Sequence, residues 1–284
     1  MKKKFSLLLL LYLVHNVSVA QSIDTANYIA DVFLTHELSE QMGLTKHRLL
    51  DEISISRSQT ILVATDKAFI CIGYGNAVLM NAGNDHISSF CTVGDSIYFV
   101  DSTRMFLVDS IGNIKPITNL PFKPIHIWSG ENDIYTAGHE DSIYNVYAVS
   151  KNRGRLTKFY STNEPIIGID ELGYLIYVLT ERHLTVVNIP GRHYVELQLD
   201  SMLFEKPCSL SIDRDRGAIY IASSKGVFRA YESQMDLVCR QSGIIYYDKD
   251  GLLIYDSQVP SIVRIRNNVL WESEKPKPVV VRVK

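Results

Sequence analysis

The sequence predicts an all-β fold, a six-bladed β-propeller with four-stranded blades. A short run rich in Ile, Val and Tyr recurs six times, starting at Ile61, Ile97, Ile134, Ile176, Ile219 and Leu253. The starts are 36, 37, 42, 43 and 34 residues apart, and a period near 40 with about four strands per unit is typical of propeller blades. Gly, Asn, Asp and Ser clusters separate the runs, and helical periodicity is absent from Ile53 onward.

Each repeat divides into an innermost strand a, the Ile-Tyr run as strand b, a strand c and an outer strand d. Strand a is predicted at 53–56, 87–92, 124–128, 165–170, 208–213 and 244–248, and strand c at 68–73, 105–109, 144–150, 183–188, 227–231 and 262–266. The a-to-b turns have hairpin composition, most clearly in the run Asp213-Arg-Asp-Arg-Gly217. Asp213 and Asp248 resemble the start of calcium loops, but the later ligands of such loops are missing, so both are predicted to be turns.

The N-terminus predicts export. Residues 1–20 contain Lys2, Lys3 and Lys4, an apolar run and a small-residue end at Ser18-Val19-Ala20, which together indicate a signal peptide cut before Gln21. His15 and Asn16 interrupt the apolar run too early for a membrane anchor, and no later stretch is long enough to span. We therefore predict a protein of the periplasm or the cell surface, with no transmembrane segment after cleavage.

Residues 21–52 are the least strand-like segment before the propeller, which is predicted at 53–284. A helix beginning at Asp24 or Thr25 and ended by Gly43 is favoured, since it places Ile29, Val32 and Phe33 on one face. The alternative is a strand at 28–34 that completes a blade built by the C-terminus. The terminal run 277–284 is predicted to be a blade-closing strand.

Charge and cysteine content exclude some functions. The full chain has 29 basic and 31 acidic residues, and loss of the signal leaves 26 against 31, a formal charge of −5, which does not favour nucleic acid as a partner. Cys71, Cys91, Cys208 and Cys239 have no metal-type spacing, so we interpret them as buried thiols with at most one disulfide.

A family resemblance rests on the recurring Ile-Tyr strand and on the prolines Pro124, Pro165 and Pro207 that open strand a. Over residues 53–271 the chain resembles the six-bladed propellers of the NHL-repeat and gluconolactonase-like (SMP-30) group. Gln21 after the cleavage site and the terminal run are similar to exported proteins of the Bacteroidetes, and that run also resembles the last strand of their type IX sorting domain. Blade six occupies the residues that such a domain would need.

The resemblance to gluconolactonase-like enzymes implies which residue types a metal site would need. Gluconolactonase-like enzymes hold a divalent metal at the channel mouth with a Glu and Asn or Asp side chains. We expect no matching Glu at the start of blade one, and strand a opens more often with Ile, Cys, Ser or His than with an acid. No cofactor is predicted; a divalent metal belongs only to the hydrolase alternative. His126 and Trp128 are the candidate channel-lining pair, although a core aromatic beside a satisfied histidine is favoured.

The sequence contains no catalytic motif and does not favour catalysis. Function is therefore predicted from where polar residues lie in the propeller. In a propeller the b-to-c and d-to-a connections gather on one face, where partners commonly dock. The candidate partner-binding residues there are His86, Asp101, Arg104, His139, Glu140, Glu181, Arg182, His183, Lys225 and Asp256. The alternative for these residues is ordinary polarity of turns.

The sequence thus favours a non-enzymatic exported propeller, a monomer or part of an envelope complex. It binds a protein or glycan partner or acts as a scaffold in envelope assembly. The alternative is a metal-dependent lactone or ester hydrolase of the SMP-30 type.

Overall fold

The fold is a ring of six four-stranded antiparallel sheets, the blades of a propeller. The structure is a computed structural model and describes residues 30–34 and 40–272, with gaps at 42, 44–47, 74–75, 83–85, 110, 132, 152–153, 189–192, 233 and 260. The innermost strand of each blade contacts the innermost strands of its two neighbours, so the ring is closed. The predicted signal segment 1–20 and the run 277–284 lie outside the described residues.

Blades one to three are meanders that run from the centre outward. Blade one contains β2 (Ser54–Ile55), β3 (Ile61–Ala64), β4 (Ala68–Gly73) and β5 (Asn76–Asn81). Blade two contains β6 (Ser89–Val93), β7 (Ser96–Val100), β8 (Arg104–Val108) and β9 (Ile114–Asn119). Blade three contains β10 (Pro124–Ser129), β11 (Asp133–Glu140), β12 (Ile143–Ser150) and β13 (Leu156–Thr162).

Blades four and five repeat this arrangement, and blade six takes one strand from the N-terminus. Blade four contains β14 (Ile166–Leu172), β15 (Leu175–Thr180), β16 (His183–Asn188) and β17 (His193–Gln198). Blade five contains β18 (Ser209–Asp213), β19 (Ala218–Ser223), β20 (Gly226–Tyr231) and β21 (Gln234–Cys239). Blade six contains β22 (Ile244–Asp248), β23 (Gly251–Asp256), β24 (Ser261–Arg266) and β1 (Ala30–Leu34). The predicted propeller is confirmed, and strands a, b and c lie within about two residues of their predicted bounds.

Blade six is closed by the N-terminal strand. β1 pairs antiparallel with β24, with Ala30 opposite Ile265 and Val32 opposite Val263. The helix favoured for this segment is therefore wrong at Ala30–Leu34, and the closing-strand alternative describes these residues. The free edge of β24 supplies backbone hydrogen-bond partners that an isolated helix would not use, so tertiary pairing overrides the helical pattern.

A short helix, α1 (Asn267–Glu272), follows β24 and packs beneath blade five. The buried Arg229 donates from Nη1 to the carbonyl of Leu270 at 2.5 Å. The Trp271 ring contacts the guanidinium groups of Arg229 and Arg216, each 4.6 Å from its centroid. Among the described residues, no helix combines the length and apolar character needed to cross a bilayer.

The core consists of six apolar layers, one between each pair of neighbouring blades. The Ile-Tyr dipeptide of strand b explains this arrangement, because adjacent strand residues point to opposite faces. Ile219 packs in the layer against blade four, whereas Tyr220 packs in the layer against blade six. Ile97 and Tyr98 divide in the same way between blades one and three. Strand b is buried on both faces and hence reads as an uninterrupted apolar run.

Small polar residues on strand a join the blades. Ser89 Oγ accepts from the backbone N–H of Ile127 in blade three at 2.8 Å, and Ser211 Oγ accepts from Tyr247 N in blade six at 2.9 Å. Ser54 and Ser209 make equivalent bonds to the next blade. These bonds satisfy inner-strand amides where neighbouring blades meet at the centre.

Candidate functional site

A cavity occupies the central channel of the propeller. Its volume is about 1070 Å³, and strand a of every blade contributes to its wall. We call the end where strand a begins the upper mouth and the end where strand a finishes the lower mouth. The b-to-c and d-to-a connections surround the upper mouth and form the upper face; the a-to-b and c-to-d turns form the lower face.

Glu52 organises the upper mouth. Its side chain, 12% exposed, precedes β2 in blade one and reaches two further blades. Glu52 Oε2 accepts from the backbone N–H of Phe90 at 2.6 Å, while Oε1 accepts from the Ser89 hydroxyl and lies 2.7 Å from His126 Nδ1. The expectation that no Glu lies at the start of blade one is therefore wrong. No local pattern marks Glu52, because its partners are 37 to 74 residues away in the chain.

The predicted pair His126 and Trp128 lines the channel, and their ring centroids are 5.6 Å apart. Burial opposes protonation of His126, but the hydrogen bond and negative charge of Glu52, together with Asp51, outweigh it and raise the pKa of His126. His126 is thus held by a carboxylate, and Trp128 remains half-buried in the wall. Their functional role stays a prediction.

Arg214 organises the lower mouth. It extends from the a-to-b turn of blade five and donates from Nη2 to Asp170 Oδ1 at 2.8 Å and to the carbonyl of Ser129 at 3.3 Å. Its Nε donates to the carbonyl of Glu171 at 3.2 Å. Asp170 Oδ2 also accepts from the backbone N–H of Ile212 at 2.8 Å. One guanidinium therefore joins blades three, four and five.

Glu171 and Tyr246 complete the polar end of the channel. Glu171 Oε2 accepts from the Tyr135 hydroxyl and from Glu131 N, each at 2.9 Å. Burial and the Glu171 carboxylate raise the pKa of Tyr135, and burial raises the pKa of Tyr246 to about 12. Both phenols are neutral at physiological pH and are poor proton acceptors.

Several predicted rim residues have roles within their own turns. Asp101 Oδ1 accepts from the backbone N–H groups of Thr103 and Arg104, and its Oδ2 lies 2.6 Å from Arg104 Nη2. Asp256 Oδ1 likewise accepts from Gln258 N at 2.9 Å and Val259 N at 3.3 Å. These side chains stabilise b-to-c turns in the manner of Asx turns.

The rim histidines and Lys225 have close polar or aromatic neighbours. His183 Nδ1 lies 3.0 Å from Glu164 Oε1, His86 Nε2 lies 3.7 Å from Asp66, and Lys225 pairs with Glu205 at 2.9 Å. The His139 ring lies 4.6 Å from that of Tyr144, and Glu140 accepts from the Asn145 amide at 3.1 Å. Glu181 and Arg182 are exposed. The structure distributes the predicted residues around the upper face rather than gathering them into one cluster.

The turns that resemble calcium loops are confirmed as turns. Asp213 Oδ1 accepts from Asp215 N at 3.0 Å and Arg216 N at 3.1 Å. Asp248 Oδ1 accepts from Asp250 N and Gly251 N in the same way. Gly217 then closes the first turn at φ 77°, a left-handed conformation that favours glycine.

All four cysteines are free thiols. Burial raises the pKa of Cys71, Cys91 and Cys208, and raises that of Cys239 to about 11. Thiols with raised pKa are weak nucleophiles and weak metal ligands at neutral pH.

The described residues do not fit the divalent metal that the gluconolactonase resemblance implies. Within the described ranges, no three His, Cys, Asp or Glu side chains are grouped so that they could hold a metal ion. Glu52 and His126 are the natural starting pair, but both oxygens of Glu52 already accept hydrogen bonds within the channel wall. A metal would have to displace contacts that join three blades.

Comparison with known structures finds the same fold in proteins of different activity. A gluconolactonase from Xanthomonas campestris superimposes with a TM-score of 0.61 at 12% identity, over 89% of this chain and 99% of that one. A chain of the nidogen/laminin complex gives 0.58 at 12% identity, over 69% and 85%. PorZ, a surface component of the type IX secretion system of Porphyromonas gingivalis, gives 0.51 at 12% identity over 82% of this chain, which spans 33% of PorZ.

No protein-family profile matches the chain, and no curated protein sequence matches it. At these identities the structural comparisons show the fold alone. They confirm the resemblance to gluconolactonase-like propellers at that level, and the same fold also occurs in the nidogen/laminin complex and in a bacterial surface component.

Proposed function

We propose that this protein is an exported, non-catalytic propeller that binds a partner protein on its upper face. The observation that carries the proposal is the state of three carboxylates in or beside the channel wall. Glu52, Asp170 and Glu171 all accept hydrogen bonds that join neighbouring blades. A general base or metal ligand needs a carboxylate oxygen that can turn toward a substrate. Here the acids serve the architecture of the ring.

The upper face offers the mixture of side chains that protein interfaces use. Glu181 and Arg182 are exposed in the b-to-c turn of blade four, and the backbone N–H of Leu199 donates to the Arg182 carbonyl at 2.7 Å. This bond places the following connection, with Met202 84% exposed, beside the turn. An exposed methionine flanked by an acid and a base is typical of an adaptable protein-binding surface.

The similar structures support binding as a use of this fold. One of them was determined as a nidogen/laminin complex, and another, PorZ, is a bacterial surface component. The predicted signal peptide, 1–20, supports export. Cleavage before Gln21 would leave β1 in the mature chain, so the propeller could still close its ring after processing. The segment 21–52 and the propeller 53–284 remain our proposed divisions of the chain, with β1 of the first segment completing blade six of the second.

A matched pair of triple variants tests the proposal. The upper-face variant combines Glu181→Ala, Arg182→Ala and Met202→Ala; the lower-face control combines Asp215→Ala, Lys249→Ala and Ile111→Ala, also one acid, one base and one exposed apolar residue. Partners are captured from an envelope extract with the wild type, identified by mass spectrometry, purified and titrated against each variant.

We expect the upper-face variant to bind at least tenfold more weakly, a loss of about 1.4 kcal/mol, and the control to bind like the wild type. Equal binding by the two variants would show that another surface is used. If the captured ligand is a glycan, binding should instead depend on Trp128, the half-buried aromatic ring in the channel wall.

A metal-dependent lactone or ester hydrolase is the second candidate. Glu52 at the start of blade one is the observation that favours it, and this candidate requires a metal to displace the contacts of Glu52 with Ser89, Phe90 and His126. This candidate predicts that calcium or zinc raises the melting temperature and that Glu52→Gln abolishes both this shift and lactone hydrolysis. A protein whose melting is unaffected by either ion and by chelator would exclude it.

A further inference from the structure

The outer strand of blade one differs from every other outer strand. β5 carries no charged residue and no proline; moreover, no charged residue occurs from Ala68 to Asn84. Each of the other five outer strands contains a charged residue, namely Lys115 in β9, Lys158 in β13, Glu196 in β17, Asp236 in β21 and Asp31 in β1. Charges and prolines on edge strands are the means by which proteins prevent edge-to-edge pairing. β5 lacks this protection.

The free edge of β5 can be assigned residue by residue. Ala82 N donates to the Lys67 carbonyl at 3.0 Å, and Val78 lies opposite Cys71. Since hydrogen-bonding direction alternates along a strand, the N–H and C=O groups of Asn76, Val78 and Met80 point toward β4. Those of Ala77 and Leu79 point outward. Among the described strands, none pairs with this edge.

Two exposed side chains in β5 are large and apolar, and the exposed Asn81 at the end of the strand is polar but uncharged. Val78 is 55% exposed and Leu79 is 47% exposed, although both are in the middle of the strand. Ala77 and Met80 pack partly against the layers on either side of blade one. The edge therefore combines unsatisfied backbone groups with apolar side chains, the two properties that favour strand addition.

The strand is complementary to itself. In antiparallel pairing of two copies about a two-fold axis, outward-pointing residues must face outward-pointing residues. An axis through Leu79 satisfies this condition: Leu79 faces Leu79 of the second copy, Ala77 faces Asn81, and Val78 faces Met80. No charge meets a like charge. A two-fold interface uses the same patch on both subunits, as this register does.

We propose that the protein forms a two-fold dimer by antiparallel pairing of β5 with β5 of a second copy. The two blades one then become a continuous eight-stranded sheet, and the exposed Leu79 side chains pack against each other. The proposal does not depend on the function of the upper face, because β5 is the strand of blade one farthest from the channel.

The oligomeric state over a range of protein concentrations tests the proposal, measured by sedimentation equilibrium on the mature chain. We expect the wild type to dimerise and Leu79→Lys, which places two ammonium groups face to face, to weaken dimerisation by at least on the order of tenfold. The matched control is Tyr194→Lys on β17, an outer-strand position that is 63% exposed. It should dimerise like the wild type. A wild type that stays monomeric, or equal weakening by both variants, would overturn the proposal.

Cross-linking provides a second test that does not depend on affinity. Hydrogen-bonded antiparallel pairs have Cα atoms about 5.5 Å apart, within the range that a disulfide spans. Leu79→Cys should therefore give a covalent dimer under mild oxidation. Tyr194→Cys and the wild type, with its four free thiols, are the controls. Covalent dimer at the same level in all three proteins would contradict the Leu79 register. Circular dichroism establishes that each variant is folded.

Discussion

At each mouth of the channel one charged side chain joins three blades. The charge is negative at the upper mouth and positive at the lower mouth. At the upper mouth, the Glu52 carboxylate joins blade one to Ser89 and Phe90 of blade two and to His126 of blade three. At the lower mouth, the Arg214 guanidinium of blade five joins blades three and four. The difference lies in titration: the Glu52–His126 pair can change protonation near neutral pH, whereas a guanidinium stays charged. The stability that the upper mouth contributes should therefore fall as pH rises through the pKa of His126, whereas the stability that the lower mouth contributes should not fall over that range.

The largest effect is expected at the lower mouth. Arg214→Met removes the cation beside Asp170, whose side chain is only 12% exposed, and leaves that carboxylate without its counter-charge. Breaking a fully buried pair from one side costs about 3 kcal/mol. Because the Arg214 side chain is 36% exposed, we expect the free energy of unfolding in urea to fall by about 2 kcal/mol.

The double variant Asp170→Asn with Arg214→Met provides the control, because it removes the stranded charge as well. It should be more stable than Arg214→Met alone. Equal stability of the two variants would mean that the ion pair does not cause the effect.

A smaller effect is expected at the upper mouth. Glu52→Gln keeps the side-chain volume and one carbonyl acceptor but loses the charge that faces His126. A hydrogen bond to a charged group contributes about 2 kcal/mol, and part of it survives in the amide, so we expect a loss of about 1 kcal/mol in urea unfolding. The free energy of unfolding should fall no further in His126→Asn than in Glu52→Gln, since Glu52 would keep its bonds to Ser89 and Phe90. A larger loss of unfolding free energy in His126→Asn would show that the histidine, not Glu52, contributes most of the stability at the upper mouth.

The smallest effect is the pH dependence that separates the two mouths. Glu52 raises the pKa of His126 above its ordinary value of 6.5, against the effect of burial. The stability that this pair contributes is thus complete below about pH 6.5 and is lost as pH rises through the raised pKa of His126. The melting temperatures of wild type and Glu52→Gln should converge as pH increases. The deficit of Arg214→Met should not shrink over the same range, because burial raises the pKa of Asp170 and a rise in pH keeps its unpaired carboxylate charged.

NMR titration of His126 provides the direct measurement, and its pKa should fall in Glu52→Gln. An equal His126 pKa in wild type and Glu52→Gln would show that Glu52 does not control the protonation of His126. The two mouths would then not differ in their response to pH.

Local patterns in the sequence account for most of the fold. The run Ile219-Tyr220 predicts strand b, and its alternating faces explain why both residues are apolar in a strand buried between two blades. The turn of Asp213 was predictable because its partners, Asp215 and Arg216, are two and three residues away. Closure of blade six was not predictable in this way, since β1 and β24 are separated by almost the whole chain.

The candidate site was less predictable than the fold. The sequence placed polar residues on the upper face and proposed His126 and Trp128 for the channel. It did not single out Glu52 or Arg214, whose partners include His126, 74 residues away, and Ser129, 85 residues away. One available signal is the Ser and Asp residues that recur within the mostly apolar strand a segments, such as Ser89 and Asp170.

The repeat, the order of strands a to c within each blade and the turn chemistry follow from the amino-acid sequence alone, because they depend on residues close together in the chain. Three features emerge only in the folded ring: the N-terminal strand closes it, Glu52 and Arg214 join three blades each, and β5 presents an unprotected edge. The physical reason is that each of these features depends on which surfaces the closed ring brings together or leaves free, and no local pattern specifies that choice.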